Sequence, residues 1–200
     1  MTPSAEAPSS RERIVDAAAR VMREEGLAGA TTKAIAAAAG YSEAMLYKHF
    51  ADKQELFLAV LKERLPSLGS GPQDPPGTGE LKDRLAHLVE QLLGFFVETF
   101  PLAASIFGAP KLLEQHREGL RVHGAGPIGP VLAVKNYLDA ERDLGRVSSQ
   151  ADTETIAQTL VGFAFHQAFL AAFEGDDRVT DAADRARAVV AAVSPALTVP

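Results

Sequence analysis

The chain has no cysteine, so neither a disulfide nor a thiolate zinc site can hold it together, and a reducing compartment would suit it. It also lacks the surplus of cations common in nucleic-acid-binding proteins, since its formal net charge is −6. The N-terminal residues MTPSAEAPSSRER contain no apolar run of the kind a signal peptide needs, and no stretch is expected to reach the length of a membrane span. A Gly-rich phosphate loop, a GxSxG elbow and an HExxH pair are all missing. Nothing therefore organises the scattered histidines and carboxylates into a catalytic set. No strand-like alternation, internal repeat or low-complexity tract occurs either. No enzyme, cofactor or metal centre is expected. What remains is a cytoplasmic, all-α chain of 200 residues, 46% of them hydrophobic, which suffices for one large domain or two small ones.

The charge is unevenly spread. Residues 1–66 carry nine Lys/Arg and nine Asp/Glu, so of the totals of 20 and 26, eleven and seventeen fall after residue 66. The acid excess belongs wholly to the later part of the chain.

Residues 1–8 read as a loose arm. Ser9 and Glu12 have the spacing of a capping box, and Ile14, Ala17, Ala18, Val21 and Met22 follow the period of an amphipathic helix that Gly26 ends. Thr31 or Thr32 caps a second helix and Ser42 a third. Asp52 and Glu55 open a fourth, through Leu56, Phe57, Val60 and Leu61, which stops at Pro66. The proline- and glycine-rich stretch 66–79 then reads as a slack linker between a domain at 1–66 and a larger one at 80–200. In that larger part Leu81, Leu85, Leu88, Val89, Leu92, Phe96 and Phe100 form one helical stripe, expected to end at Pro101. A short apolar piece at 102–107 follows, then helices at 111–122 and 131–144, with a break at His123–Pro130. The most apolar helix spans 153–173 with Asp152 as its cap. Thr180 caps the last, over Ala182, Ala186, Val190 and Val193.

The stretch Thr31–Lys53, TTKAIAAAAGYSEAMLYKHFADK, reads as two short helices joined at Gly40. Leu46 and Phe50 share one face of the second, with Ala44 and Lys48 opposite and Met45 and Tyr47 at the flanks. Tyr41 and Leu46 have the spacing of a hydrophobic staple. A short helix clamped by its apolar face and carrying polar groups outward has the form of a helix-turn-helix reader.

With its Thr-Thr pair, Ala-Gly turn, Leu-Tyr-x-His-Phe and Asp-Lys-x-x-Leu in step, the sequence over roughly residues 9–65 resembles the tetracycline-repressor (TetR) family of bacterial regulators. The resemblance implies an N-terminal helix-turn-helix bundle and a helical ligand-binding and dimerisation domain. It implies a homodimer through the last two helices, a double-stranded palindromic operator, repression, and release by a small effector. Carried over position by position, the DNA-contacting residues are Thr32, Lys33, Glu43, Ala44, Met45, Tyr47, Lys48, His49 and Lys53. Tyr47 and Lys53 are the expected phosphate anchors, and Ala44, Met45 and Lys48 the expected base readers. Met45 stands where the family often has a small hydroxyl residue. Glu43 either accepts from a cytosine or only stabilises its helix.

In the body, Leu92, Phe95, Phe96, Phe107, Phe163 and Phe169 surround the polar Gln91, His166 and Gln167. The bland reading of this set is a core; the sharper one is a pocket for a largely apolar effector. His87, His116, His123 and His166 share no metal-ligand spacing. Three alternatives stay open: an activator, a ligand-independent regulator and a helical protein-interaction module.

Overall fold

The computed structural model describes residues 8–64, 75–122 and 126–198. Among the described residues there are nine helices and no strand: α1 (Ser10–Gly29), α2 (Thr32–Ala39), α3 (Glu43–His49), α4 (Lys53–Glu63), α5 (Leu81–Ile106), α6 (Pro110–Val122), α7 (Gly129–Asp143), α8 (Thr153–Glu174) and α9 (Ala182–Leu197). They sort into two compact units, residues 1–65 with 101–120, and residues 66–100 with 121–200. The division is not the one expected from the linker, because 101–120 joins the N-terminal unit.

In the first unit α1 starts as its sequence dictates. Ser9 Oγ accepts from the Glu12 N–H at 3.2 Å while Glu12 Oε2 accepts from the Ser9 N–H at 2.8 Å. Two orphan donors are thereby satisfied at once. Ile14, Ala18 and Met22 point into the core and are almost wholly buried, as are Ile35, Leu46 and Leu56 from α2, α3 and α4. Burying each such large aliphatic side chain contributes roughly 1.5–3 kcal/mol. Leu102, Ile106 and Leu112 complete the same core, which is why 101–120 belongs here. Gly26 breaks the winding of α1 at φ 68° and ψ 178° but does not end it, since helix resumes to Gly29.

Two ion pairs tie α1 to the end of α4. Arg11 grips Glu63 with both terminal nitrogens, at 2.9 and 2.6 Å, and Arg64 Nε meets Asp16 at 2.6 Å. The hydrogen bonds from Arg11 hold the Glu63 carboxyl below its ordinary range.

The second unit centres on Leu85, Val89 and Leu92 of α5, Leu138 of α7, Leu160 and Ala164 of α8, and Ala186 and Val190 of α9. Small residues on α8 and α9 permit close helix approach. Asp152 caps α8 as expected, accepting from the Thr155 N–H at 3.0 Å. A carboxylate, Glu141, is 0% exposed in this unit. Its Oε1 accepts from the Gly77 N–H at 3.1 Å and its Oε2 faces Arg146 Nε at 2.9 Å. Arg146 also donates to the Gly79 carbonyl at 2.7 Å. Burial first, then the neighbouring Glu141 carboxylate, push the Tyr137 phenol well above its ordinary pKa.

Several expectations are corrected. Helix α5 runs through Pro101, because Leu102 and Ile106 beyond it are buried and their burial outweighs the hydrogen bond the proline cannot make. The stretch 66–79 is not slack throughout. Residues 66–74 lie outside the described residues, and Gly77 and Gly79 are fastened by Glu141 and Arg146. Ser42 stands at the N-cap of α3 without a side-chain hydrogen bond. Asp181, at φ 54°, replaces Thr180 as the residue preceding α9, and that helix continues past Val193 to Leu197. The arm at 1–7 and His123 also lie outside the described residues. Finally, α5 and α8 are each long and apolar enough to cross a membrane, with mean hydropathies of 1.2 and 1.4. Part of that apolar surface is Leu85, Val89, Leu92, Leu160 and Ala164, which the protein's own core covers.

Candidate nucleic-acid interface

The α2–α3 pair is set by local chemistry. Thr31 Oγ1 accepts from the Ala34 N–H at 3.1 Å and starts α2. Gly40 then turns the chain in the left-handed region at φ 74°, its N–H and that of Tyr41 returning to the Ala37 and Ala36 carbonyls at 3.1 and 2.9 Å. A side chain with a Cβ would be strained at that φ. Ile35, Ala36 and Ala39 are buried, and Arg20 of α1 donates to the Ala38 carbonyl at 3.1 Å. Tyr41 packs against the core with Leu46, as a staple should. The Arg13 guanidinium lies 5.1 Å from the centre of the Tyr41 ring.

With Leu46 and Phe50 buried, α3 turns Glu43, Ala44, Tyr47 and Lys48 to the solvent, Tyr47 at 54% exposure. Lys33 of α2 is exposed as well. Thr32 is half-buried and donates through Oγ1 to Glu43 Oε2 at 2.8 Å, so the first residue of α2 is bonded to the first residue of α3. That bond gives Glu43 a role in fixing the pair. The remaining three expected residues are half-buried. Met45 is half-buried against the core. His49 Nε2 and Ser10 Oγ are 2.9 Å apart, joining α3 to α1. Lys53 is half-buried, its Nζ 4.9 Å from the Phe57 ring centre and 3.5 Å from the Leu27 carbonyl.

Two positioning residues escape a reading of the sequence, Arg13 under the turn and Ser10 beside His49. Each lies in α1, far along the chain from the side chain it supports, and no periodicity joins them.

The residues expected to line an effector pocket are less unified. Leu92 is buried in the core of the second unit, with Phe96 and Phe163 packed against it. Phe165 meets Phe96 and Phe100 edge-on at 5.4 and 5.5 Å, and Phe169 meets Phe100 at 5.8 Å. Phe95 lies edge-on to Phe96 at 5.1 Å. Phe107 belongs to the other unit and is 70% exposed. The polar members do not turn inward. His166 is exposed, Gln91 Nε2 pairs with His87 Nε2 at 3.2 Å, and Gln167 Oε1 accepts from Arg185 at 2.6 Å. Among the described residues no group of His, Cys, Asp or Glu could hold a metal ion.

A capped, apolar-clamped helix pair with an outward row of tyrosine, lysine and small side chains has the form of a helix-turn-helix DNA reader. Residues 14–60 match the family described as "Bacterial regulatory proteins, tetR family". Over that span, which lies within the first unit, the chain is similar to the family's DNA-binding module. It is 40% identical over 55 residues to the HTH-type transcriptional repressor AcnR of Corynebacterium efficiens, a match spanning 28% of this chain and 29% of that protein. With the HTH-type transcriptional regulator YdgC of Bacillus subtilis it shares 26% identity over 162 residues, 78% of each chain. A solved structure from Mesorhizobium loti, described as a TetR-family regulator, superposes with a TM-score of 0.71 over 94% of both chains at 19% identity. That last likeness speaks for the fold alone.

Proposed function

We propose that the chain is a cytoplasmic, ligand-responsive repressor that binds a palindromic double-stranded operator as a homodimer and leaves it when a small, largely apolar effector binds the second unit. The observation that carries the reading is the outward row Ala44, Tyr47 and Lys48 over the buried pair Leu46 and Phe50. The phenol of Tyr47 has a phosphate oxygen as its natural acceptor, and Lys48 presents a cation to base edges. The name of AcnR, a repressor, supports the sign of the regulation. The exposed strip of Gly162, His166 and Leu170 on α8 and Ala188, Ala191 and Ala192 on α9 supports a dimer through the last two helices. The aromatic row along α5 and α8 supports an apolar effector, with residues 80–100 and 121–200 as the sensing part.

Selection of bound duplexes from random DNA, followed by titration at several salt concentrations, tests the reading. Tyr47→Phe should weaken binding to every duplex alike. Lys48→Ala should instead change the preference among operator variants, by about 1–3 kcal/mol for a lost base contact. Binding with no symmetric motif and no salt dependence would refute the proposal.

A further inference from the structure

We propose that the cleft in the first unit between the starts of α4 and α6 is a binding site for an amphipathic anion, a small carboxylate carrying an apolar chain or ring. The cleft measures about 340 Å³, at the lower end of the range for small-molecule sites. Leu27, Phe57, Ala109 and Leu112 form its apolar wall, Lys53 and Lys111 supply two cations, and among the described residues no acidic side chain lines it. That is a local reversal in a chain of net charge −6.

Among the described residues neither ammonium meets a carboxylate. Among the described residues the Lys53 Nζ has one hydrogen-bond acceptor, the Leu27 carbonyl at 3.5 Å, and otherwise rests on the Phe57 ring. Lys111 is exposed and makes no ion pair among the described residues. A neutral apolar guest would cover the wall and strip water from unpaired ammoniums, which is costly. An inorganic anion would pair with the ammoniums and leave the wall wet. A carboxylate with an apolar tail satisfies both, with charge-assisted hydrogen bonds to the lysines and burial along Leu27 and Leu112.

Lys53 is also an expected DNA phosphate anchor. Under the function proposed above, the carboxylate and the DNA backbone therefore compete for one ammonium. This second route of release works at the reader itself and needs no rearrangement of the sensing part. Only the competition rests on that function; occupancy of the cleft does not.

The test uses the full chain labelled with ¹⁵N and three probes: decanoate, 1-decanol and acetate. Decanoate should move the amide resonances of Lys53, Gln54, Lys111 and Leu112 at concentrations where the other two do not. Lys111→Ala should weaken decanoate about 2–5-fold, the scale of one exposed ion pair, and Ala109→Trp, which fills the cleft, should abolish the shifts. Shifts centred on α8, equal shifts with 1-decanol, or decanoate affinity unchanged by Lys111→Ala would overturn the site. Fluorescence anisotropy with a selected duplex then reads the competition. Decanoate should raise the apparent DNA Kd of the native chain, and about 2–5-fold more of it should be needed for Lys111→Ala. A chain that binds no duplex at all removes the proposed function and leaves the cleft to be decided by the shift map alone.

Discussion

Replacing Glu141 by leucine keeps the volume of a fully buried side chain and removes three things at once. It takes away the acceptor for the Gly77 N–H, the partner of Arg146, and the carboxylate beside the Tyr137 hydroxyl. The hydrogen bond to Gly77 involves a charged acceptor and is worth about 1.5–3 kcal/mol. The Arg146 side chain is 28% exposed, so water partly rehydrates its stranded charge. The loss there lies well below the 3–5 kcal/mol of a fully buried pair and nearer about 1 kcal/mol. Together the two give about 2.5–4 kcal/mol for Glu141→Leu. Glu141→Gln retains an acceptor for Gly77 and loses only the charge, so it should cost about 1 kcal/mol. Urea denaturation followed by circular dichroism measures both differences. In the double variant with Arg146→Met, the Glu141→Leu cost should shrink by the share assigned to the pair. Equal costs for the glutamine and leucine variants would refute the assignment of most of the energy to the Gly77 bond. A leucine variant as stable as the native chain would refute the whole account.

Gly26→Ala should destabilise the chain by about 1–3 kcal/mol through backbone strain alone, because a Cβ there meets nothing within 4 Å; thermal denaturation checks it. Acid should weaken the first unit through Glu63, whose folded-state pKa is depressed below its ordinary 4.5. The stabilisation is complete above about pH 4.5 and fades as pH falls through the lowered folded value, so Arg11→Met should flatten this limb of an acid titration. Gly162 is exposed with no atom near its missing Cβ, so Gly162→Arg should leave helicity intact and shift sedimentation toward monomer. Ala186, at 0% exposure in its own unit's core, should instead unfold on the same change.

What the sequence made legible is what neighbours along the chain decide. Ser9 with Glu12, Asp52 with Glu55, and Gly40 after a run of alanines each specify a helix end within a few residues. The outward position of Ala44, Tyr47 and Lys48 follows from the burial of Leu46 and Phe50. What stayed hidden depends on partners distant in the chain. Glu141 binds Gly77 across 64 residues and Ser10 meets His49 across 39, and no spacing rule reaches so far. Pro101 misled for a related reason. Its local penalty is real, but Leu102 and Ile106 have a core to enter, and tertiary burial overrode the local rule. The polar side chains of the body were misplaced because α8 is apolar around most of its circumference, which leaves its buried face undetermined by period. Ala157, Ala164 and Ala168 take that face, and His166 is left outside.

The first unit is not a prefix of the chain. Its core closes only when Leu102, Ile106 and Leu112 join Ile14, Met22 and Leu56, and those two groups are separated in the gene by the coding stretch for the start of α5. A crossover within 66–79, the place where composition invites one, would bring a foreign helix against a surface shaped for the native 101–120. Exchange of the second unit between related chains is therefore constrained within α5 and α6 as well as at 66–79. A recombinant that exchanges the second unit whole carries three breakpoints, near residues 65, 100 and 120, so that residues 101–120 travel with the first unit they help to build.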